Sequence, residues 1–220
     1  MKILFKYPTY KRPEWFMQTL STYYKMLSGK HEYQFSLSLN IDDDTMNNRP
    51  IIEWMDKCPL LSYRFGDHKN KIAAVNADMI GLDFDILFLI SDDMIPIVQG
   101  FDDVIVKAMQ EHFPDMDGAL HYNDGCCGQD RTITLSIMGK KLYDRFGYIY
   151  HPDYASFYCD NEFTDEVRRM EKVIYIPEVI VKHDWKGFDK NRDNVYKRNS
   201  RLGKGDGDVY NRRKAAGFPK

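Results

Sequence analysis

The chain has 220 residues, of which 43% are hydrophobic and 29% charged, and its net charge is −2. That balance excludes disordered and collagen-like chains, and the length accommodates one α/β domain with a sizeable core. No run of 18 apolar residues occurs, so no membrane-spanning helix is expected.

Met1-Lys2-Ile3-Leu4-Phe5-Lys6 turns polar too early for a signal peptide. The cysteines at 58, 126, 127 and 159 form no CxxC pair and have no zinc-type histidine spacing. They read as free thiols in a reducing, cytoplasmic setting. Charge is unevenly spread: residues 182–220 carry about +7 and residues 1–181 about −9. Such a basic tail suits nucleic acid, anionic lipid or a phosphate-bearing ligand, and equally a solvated end.

In chain order, residues 2–6 predict a first strand and residues 7–12 the loop after it. Pro13 suits a first helical turn, and Phe16, Leu20, Tyr24 and Leu27 recur at helical spacing up to Gly29. Residues 35–41 predict a second strand running into Asp42, Asp43 and Asp44. A short helix is expected over 50–57 and a third strand over 61–65. Residues 70–82 carry Ile72, Val75, Met79 and Leu82 on one helical face.

Five apolar residues, 86–90, then read as a central strand covered on both faces. It stops at Asp92 and Asp93. Ligands bind beyond the carboxyl ends of strands in open α/β sheets, so this acid pair could hold a hard divalent cation; Ser91 and Asp92 could instead cap the next segment. The stripe after Phe101 predicts a helix, with His112 as an ordinary helix residue. Strands are expected over 118–122 and 132–138, with Gly125-Cys126-Cys127-Gly128 as a turn. Helices over 139–146 and 160–170 and strands over 173–176 and 179–182 complete the folded part. After Trp185 there is little periodicity, which predicts a mobile tail with a boundary near 185.

Strands alternating with helices predict a largely parallel sheet. The order of parts over residues 3–183 resembles the GT-A fold of nucleotide-sugar glycosyltransferases, especially the broad family-2-like group. Residues 3–13 resemble the strand and loop that hold the nucleotide base, here with Tyr7, Pro8, Thr9 and Arg12. Residues 40–44 resemble the second strand, whose terminal acid, Asp42 or Asp44 here, contacts base or ribose. Residues 70–76 are similar to the helix entered beside the nucleotide, with Asn70 and Lys71. Ser91-Asp92-Asp93 stands where the family has its DxD motif, Ser91 replacing the first acid.

Cys159-Asp160-Asn161-Glu162-Phe163 resembles the family's acidic motif, with Asp160 at the general-base position and Glu162 as the rival. A helix start there would favour the ionised form; as a plain structural feature Asp160 would be an N-cap. Residues 176–183 resemble the late strand that ends in a metal-binding histidine, here His183.

The resemblance therefore implies a GT-A (Rossmann-like) domain over 1–184 with a smaller mixed acceptor-side portion, and the charge of the basic tail over 185–220 suggests that it closes over the site. The resemblance also implies sugar transfer from a nucleoside-diphosphate sugar, a UDP-sugar as first choice, to an acceptor hydroxyl. Asp93 and His183 would hold Mn²⁺ or Mg²⁺, and Asp92 would contact ribose or a metal-bound water. The tail's charge suggests that Arg198, Arg201 and Lys204 approach the diphosphate, and an aromatic content of 14% offers rings for sugar stacking, Trp185 and Tyr154 among them. Two other classes stay open. A nucleotidyltransferase would share the sheet, but it calls for a glycine-rich phosphate loop that residues 7–12 lack. A nucleic-acid binder would use the basic tail, with Tyr196 and Tyr210 stacking on bases.

Overall fold

The computed structural model describes residues 1–126, 129–184 and 194–219. The chain runs β1 (Lys2–Pro8), α1 (Pro13–Met26), β2 (Glu32–Asn40), α2 (Arg49–Met55), β3 (Leu61–Gly66), α3 (Lys71–Asn76), β4 (Ile86–Leu89) and β5 (Met94–Pro96). It continues as α4 (Phe101–His112), β6 (Ala119–Tyr122), β7 (Ile137–Gly139), α5 (Lys140–Phe146), α6 (Cys159–Arg169), β8 (Val173–Ile176) and β9 (Val181–His183). The helices α7 (Asn194–Leu202) and α8 (Asp206–Ala215) flank a 3-10 turn, Gly203–Gly205.

Seven strands form one sheet in the order β3-β2-β1-β4-β7-β6-β8. Strands β1 to β4 are mutually parallel, β7 runs against both its neighbours, and β8 is parallel to β6. Alternation along β1 and β4 explains why both faces are covered. Ile3, Phe5, Ile86 and Phe88 point into one apolar cluster, with Phe16, Tyr23, Phe35 and Phe101 from the helices and β2. Leu4, Leu87 and Leu89 point into the other, with Ile72, Val75, Leu142 and Phe163. Strand β4 is thus central and buried on both sides, as a continuous apolar run requires.

Several expectations change. Tyr7 and Pro8 extend β1 instead of starting a loop. The helix expected over 70–82 stops at Asn76. Asp78 has φ of 59°, which a helix cannot continue through, and the Asn76 side chain bonds the backbone of Ile149 and Tyr150 instead. The strand expected over 132–138 shrinks to Ile137–Gly139. No helix follows Asp92, so the capping alternative for Ser91 and Asp92 falls; a turn leads to β5, which pairs antiparallel with β9.

The tail is helical from residue 194. Its glycines at 203, 205 and 207 hid that periodicity, and the contacts that hold it are tertiary. Cys127 and Gly128 of the expected turn, and Trp185, the expected sugar-stacking ring, lie outside the described residues. Among the described residues Cys58, Cys126 and Cys159 are free, and no helix is long and apolar enough to cross a membrane.

Candidate active site

A cleft of about 380 Å³ opens at the carboxyl ends of β1, β2 and β4, where the parallel half of the sheet presents its strand ends. One side is formed by Pro8, Thr9, Tyr10 and Arg12 after β1, by Asn40 at the end of β2, and by Asn70 and Lys71 at the start of α3. Asn70 accepts a hydrogen bond from the Ala73 N–H at 2.8 Å, which caps α3. The far side holds Thr132, Thr134, Tyr150, Ser156, Phe157, Asp160 and Asn161. Val195, Tyr196, Arg198 and Asn199 of α7 complete the wall. Arg198 places its guanidinium 4.6 Å from the Tyr10 ring centroid, so the two sides meet through a cation–π contact.

The acid pair after β4 divides its work. Asp92 is buried and accepts from the Tyr7 hydroxyl at 2.9 Å and from Thr9 Oγ1 at 2.9 and 3.0 Å, with Arg12 Nη1 at 3.8 Å. Burial pushes its carboxyl up to about 7, against the pull of Arg12, Tyr7 and Thr9. Asp92 therefore ties the β1 loop to the end of β4. Tyr7 does not line the cleft: it is fully buried and supports Asp92, a correction to its nucleotide-contact role.

Asp93 turns to the cleft. The β5–β9 ladder pairs Met94 with His183, and the Asp184 N–H donates to the Asp93 carbonyl at 2.7 Å. That pairing brings His183 beside an acid 90 residues earlier in the chain. His183 Nε2 lies 3.7 Å from Asp93 Oδ1, and Nδ1 lies 3.7 Å from Asp124 Oδ2. Burial would lower the imidazole, but the two carboxylates outweigh it and raise it to about 9. Burial likewise opposes ionisation of Asp93, yet His183, Ser91 and Lys71 hold its carboxyl well below the usual range.

Among the described residues no group of three or more His, Cys, Asp or Glu side chains converges as a metal cage. Asp93 and His183 nonetheless offer one carboxylate and one imidazole side by side, facing a common cleft. A cation that takes its remaining oxygens from diphosphate and water needs no more than that from the protein. Coordination through Nε2 requires the imidazole to release its proton.

Asp160 lies in the first turn of α6 and lines the same cleft. It is no N-cap: Tyr158 holds that position, with φ of 60° and no side-chain cap. Burial raises the Asp160 carboxyl, with Lys71 as the chief opposing influence. The expected effect of the helix start, to favour ionisation, is thus outweighed by burial.

Glu162 is corrected from rival base to structural ion-pair partner. It is buried away from the cleft, bonded by Arg213 at 2.8 and 2.9 Å and by the Tyr154 hydroxyl at 2.7 Å. Tyr154 is fully buried within the second apolar cluster and offers no ring to a sugar. Asp42 and Asp44 are exposed outside the cleft, and the buried Asp43 ties the turn together, accepting from Lys11 N at 2.6 Å and Thr45 Oγ1 at 2.6 Å. Asn40, two residues before the acids begin, takes the lining position instead. Arg201 and Lys204 are exposed and do not line the cleft; Arg198 does. The sequence alone did not single out Tyr10, Asn40, Thr132, Thr134, Asn161 and Asn199, and it offered Tyr196 only for stacking on nucleic-acid bases. Of these only Asn40 carried a signal, its place at a strand end.

Comparison with solved structures identifies the fold. No family model matches the sequence, and no curated protein does. Mannosyltransferase PcManGT from Pyrobaculum calidifontis, solved with GDP-Man and Mn²⁺, is similar at a TM-score of 0.66 and 15% identity over 84% of this chain and 58% of that one. TarS 1-349 from S. aureus, solved with UDP-GlcNAc, is similar at 0.64 and 14% identity over 92% of this chain and 66% of that one. The chain thus spans less than two thirds of either. A 4-diphosphocytidyl-2C-methyl-D-erythritol synthase from Anaerococcus prevotii matches at 0.57 and 13% identity, over 91% of this chain and 95% of that one. The chain has the fold of GT-A nucleotide-sugar glycosyltransferases: a mostly parallel, helix-flanked seven-stranded sheet.

Proposed function

We propose that the chain is a metal-dependent glycosyltransferase that moves a sugar from a nucleoside-diphosphate sugar to an acceptor hydroxyl. The observation that carries this reading is the convergence of Asp93, His183 and Asp160 on one cleft whose other side is built from the loop after β1 and the start of α3. Pro8, Thr9, Arg12 and Asn70 would contact the nucleotide, with Tyr10 and Asn40 added by the cleft. Asp93 and His183 would hold Mn²⁺ or Mg²⁺. Bound there, the cation would offset the charge that develops on the departing diphosphate. Lys71 and Arg198, basic residues that line the cleft, would add fixed positive charge. Asp160 would accept the proton of the attacking hydroxyl, and a carboxyl raised by burial is a stronger base for that task.

The tail's place also supports the reading. Helix α7 forms part of the cleft wall, so its packing would exclude water from a bound donor. A UDP-sugar is the first donor to try; the neighbours bind GDP-Man and UDP-GlcNAc. A thermal-shift screen of nucleoside diphosphates and nucleotide sugars, with and without Mn²⁺, tests the reading. A ligand at about 100 times its Kd should add roughly 2.7 kcal/mol, and no stabilisation by any member would count against it.

A second reading, nucleotidyl transfer, is favoured by one observation: the synthase from Anaerococcus prevotii is matched over nearly its whole length. Against it, residues 8–12 hold no glycine to cradle a triphosphate.

A further inference from the structure

The segment before α6 is held from behind by a single carboxylate. Asp206, 3% exposed at the start of α8, accepts hydrogen bonds from three consecutive backbone N–H groups. They are those of Ala155 at 3.0 Å, Ser156 at 2.7 Å and Phe157 at 2.8 Å. On its other side the same loop meets α3, where the Ile72 N–H donates to the Ala155 carbonyl at 3.4 Å.

Approach is close enough to dictate residue type nearby. A Cβ on Gly203 would stand 2.7 Å from the Phe157 ring and 2.8 Å from Asp206 Oδ2. The loop then passes through Tyr158, whose left-handed backbone (φ 60°) is costly for a residue with a side chain. Ser156, Phe157, Cys159 and Asp160 on either side of it all line the cleft. Strained backbone persists only where its surroundings over-determine it, and Asp206 supplies that constraint.

We infer that Asp206 is a positioning residue for the transfer reaction: it fixes the 155–157 loop and, through it, where Asp160 stands in the cleft. The inference rests on the assignment of Asp160 as base. The C-terminal helices are then part of the working site, and not only a cover over it. Displacement of a reacting group by about 1 Å can lower a rate roughly 100-fold. A loosened loop should therefore act on turnover and spare donor binding, because the nucleotide side of the cleft is built from β1, β2 and α3.

The test compares Asp206→Asn and Asp206→Ala in the full chain with Asp208→Asn, an exposed acid on the same helix, as control. Three quantities are measured: amide hydrogen exchange, calorimetric binding of UDP with Mn²⁺, and Mn²⁺-dependent hydrolysis of UDP-GlcNAc and GDP-mannose. The expected result is faster exchange confined to residues 154–162, unchanged UDP binding, and kcat lowered roughly 10- to 100-fold with KM unchanged. Should the alanine variant fail to fold, the isosteric asparagine variant carries the test. Exchange that is unchanged at 154–162, or that rises across the whole molecule, overturns the inference. A parent-like kcat, or equal losses in binding and turnover, overturns it too. If the parent hydrolyses neither donor, the glycosyltransferase reading suffers, and the exchange result alone decides whether Asp206 positions the loop.

Discussion

Replacing Arg213 with methionine should destabilise the protein far more than an ordinary change near a chain terminus. Arg213 donates to both oxygens of Glu162, at 2.8 and 2.9 Å, and to the Pro219 carbonyl at 2.8 Å. The two side chains are only 7% and 4% exposed. Removing one member of a buried pair typically costs about 3–5 kcal/mol, mainly because the other charge stays buried without compensation. Here the Tyr154 hydroxyl still serves Glu162, so the lower end, about 3 kcal/mol, is the fitting value. For a chain of this size each kcal/mol shifts Tm by roughly 2–4 °C, which predicts a fall of roughly 6–12 °C. Adding Glu162→Gln removes the stranded charge and should recover part of the loss. Urea denaturation and calorimetry of parent, single and double variants measure this directly. If Arg213→Met stays within about 0.5 kcal/mol of the parent, as surface changes do, α8 is not docked as described and the structural role of Glu162 is lost with it.

Other outcomes follow from the same geometry. Asp160→Asn should lower turnover roughly 10²–10⁴-fold while UDP binding with Mn²⁺ stays near the parent's, as single-turnover kinetics and calorimetry would show. Because the base must be ionised and burial raises its carboxyl, activity should climb with pH through a midpoint above the ordinary aspartate range; a pH–rate profile whose acid limb sits at that ordinary value would contradict the assignment. Arg198→Ala removes the contact across the cleft mouth to Tyr10, and at about 0.5–2 kcal/mol for such a contact nucleotide affinity should drop roughly 2- to 30-fold. Asp93→Ala should abolish the part of UDP affinity that Mn²⁺ adds, and a metal-enhanced affinity that persists would remove Asp93 from the cation site.

What could be read from the chain alone had local causes. The apolar run 86–90 and its abrupt acidic end announced a central strand with a site beyond it, because burial on both faces leaves a contiguous hydrophobic signature. Asp93 was legible in the same way, while His183 and Asp160 were singled out by the resemblance of their segments to GT-A motifs; all three line the cleft. The misses were of a different kind. Glu162 and Asp160 are two residues apart and equally acidic, and only the partner 51 residues later, Arg213, decides which one is buried in an ion pair. Asp42 and Asp44 looked like the end of β2, but Asp43 between them turns the chain so that both point outward. The helices of the tail carried too little periodicity to be seen because Asp206, Arg213 and Tyr210 hold them through contacts to distant segments. Long-range polar pairing leaves no periodic trace in a sequence.

Sugar transfer from a nucleotide donor is the activity proposed for the cleft lined by Asp93, His183 and Asp160. It is tested most directly by following nucleoside diphosphate release from a panel of UDP- and GDP-sugars with and without Mn²⁺, with CTP and a sugar phosphate as a parallel arm. The expected result is Mn²⁺-dependent release of UDP or GDP from at least one donor, slowed roughly 10²–10⁴-fold in Asp160→Asn, and no pyrophosphate from CTP. Pyrophosphate release from CTP, with no nucleoside diphosphate from any sugar donor, would contradict it.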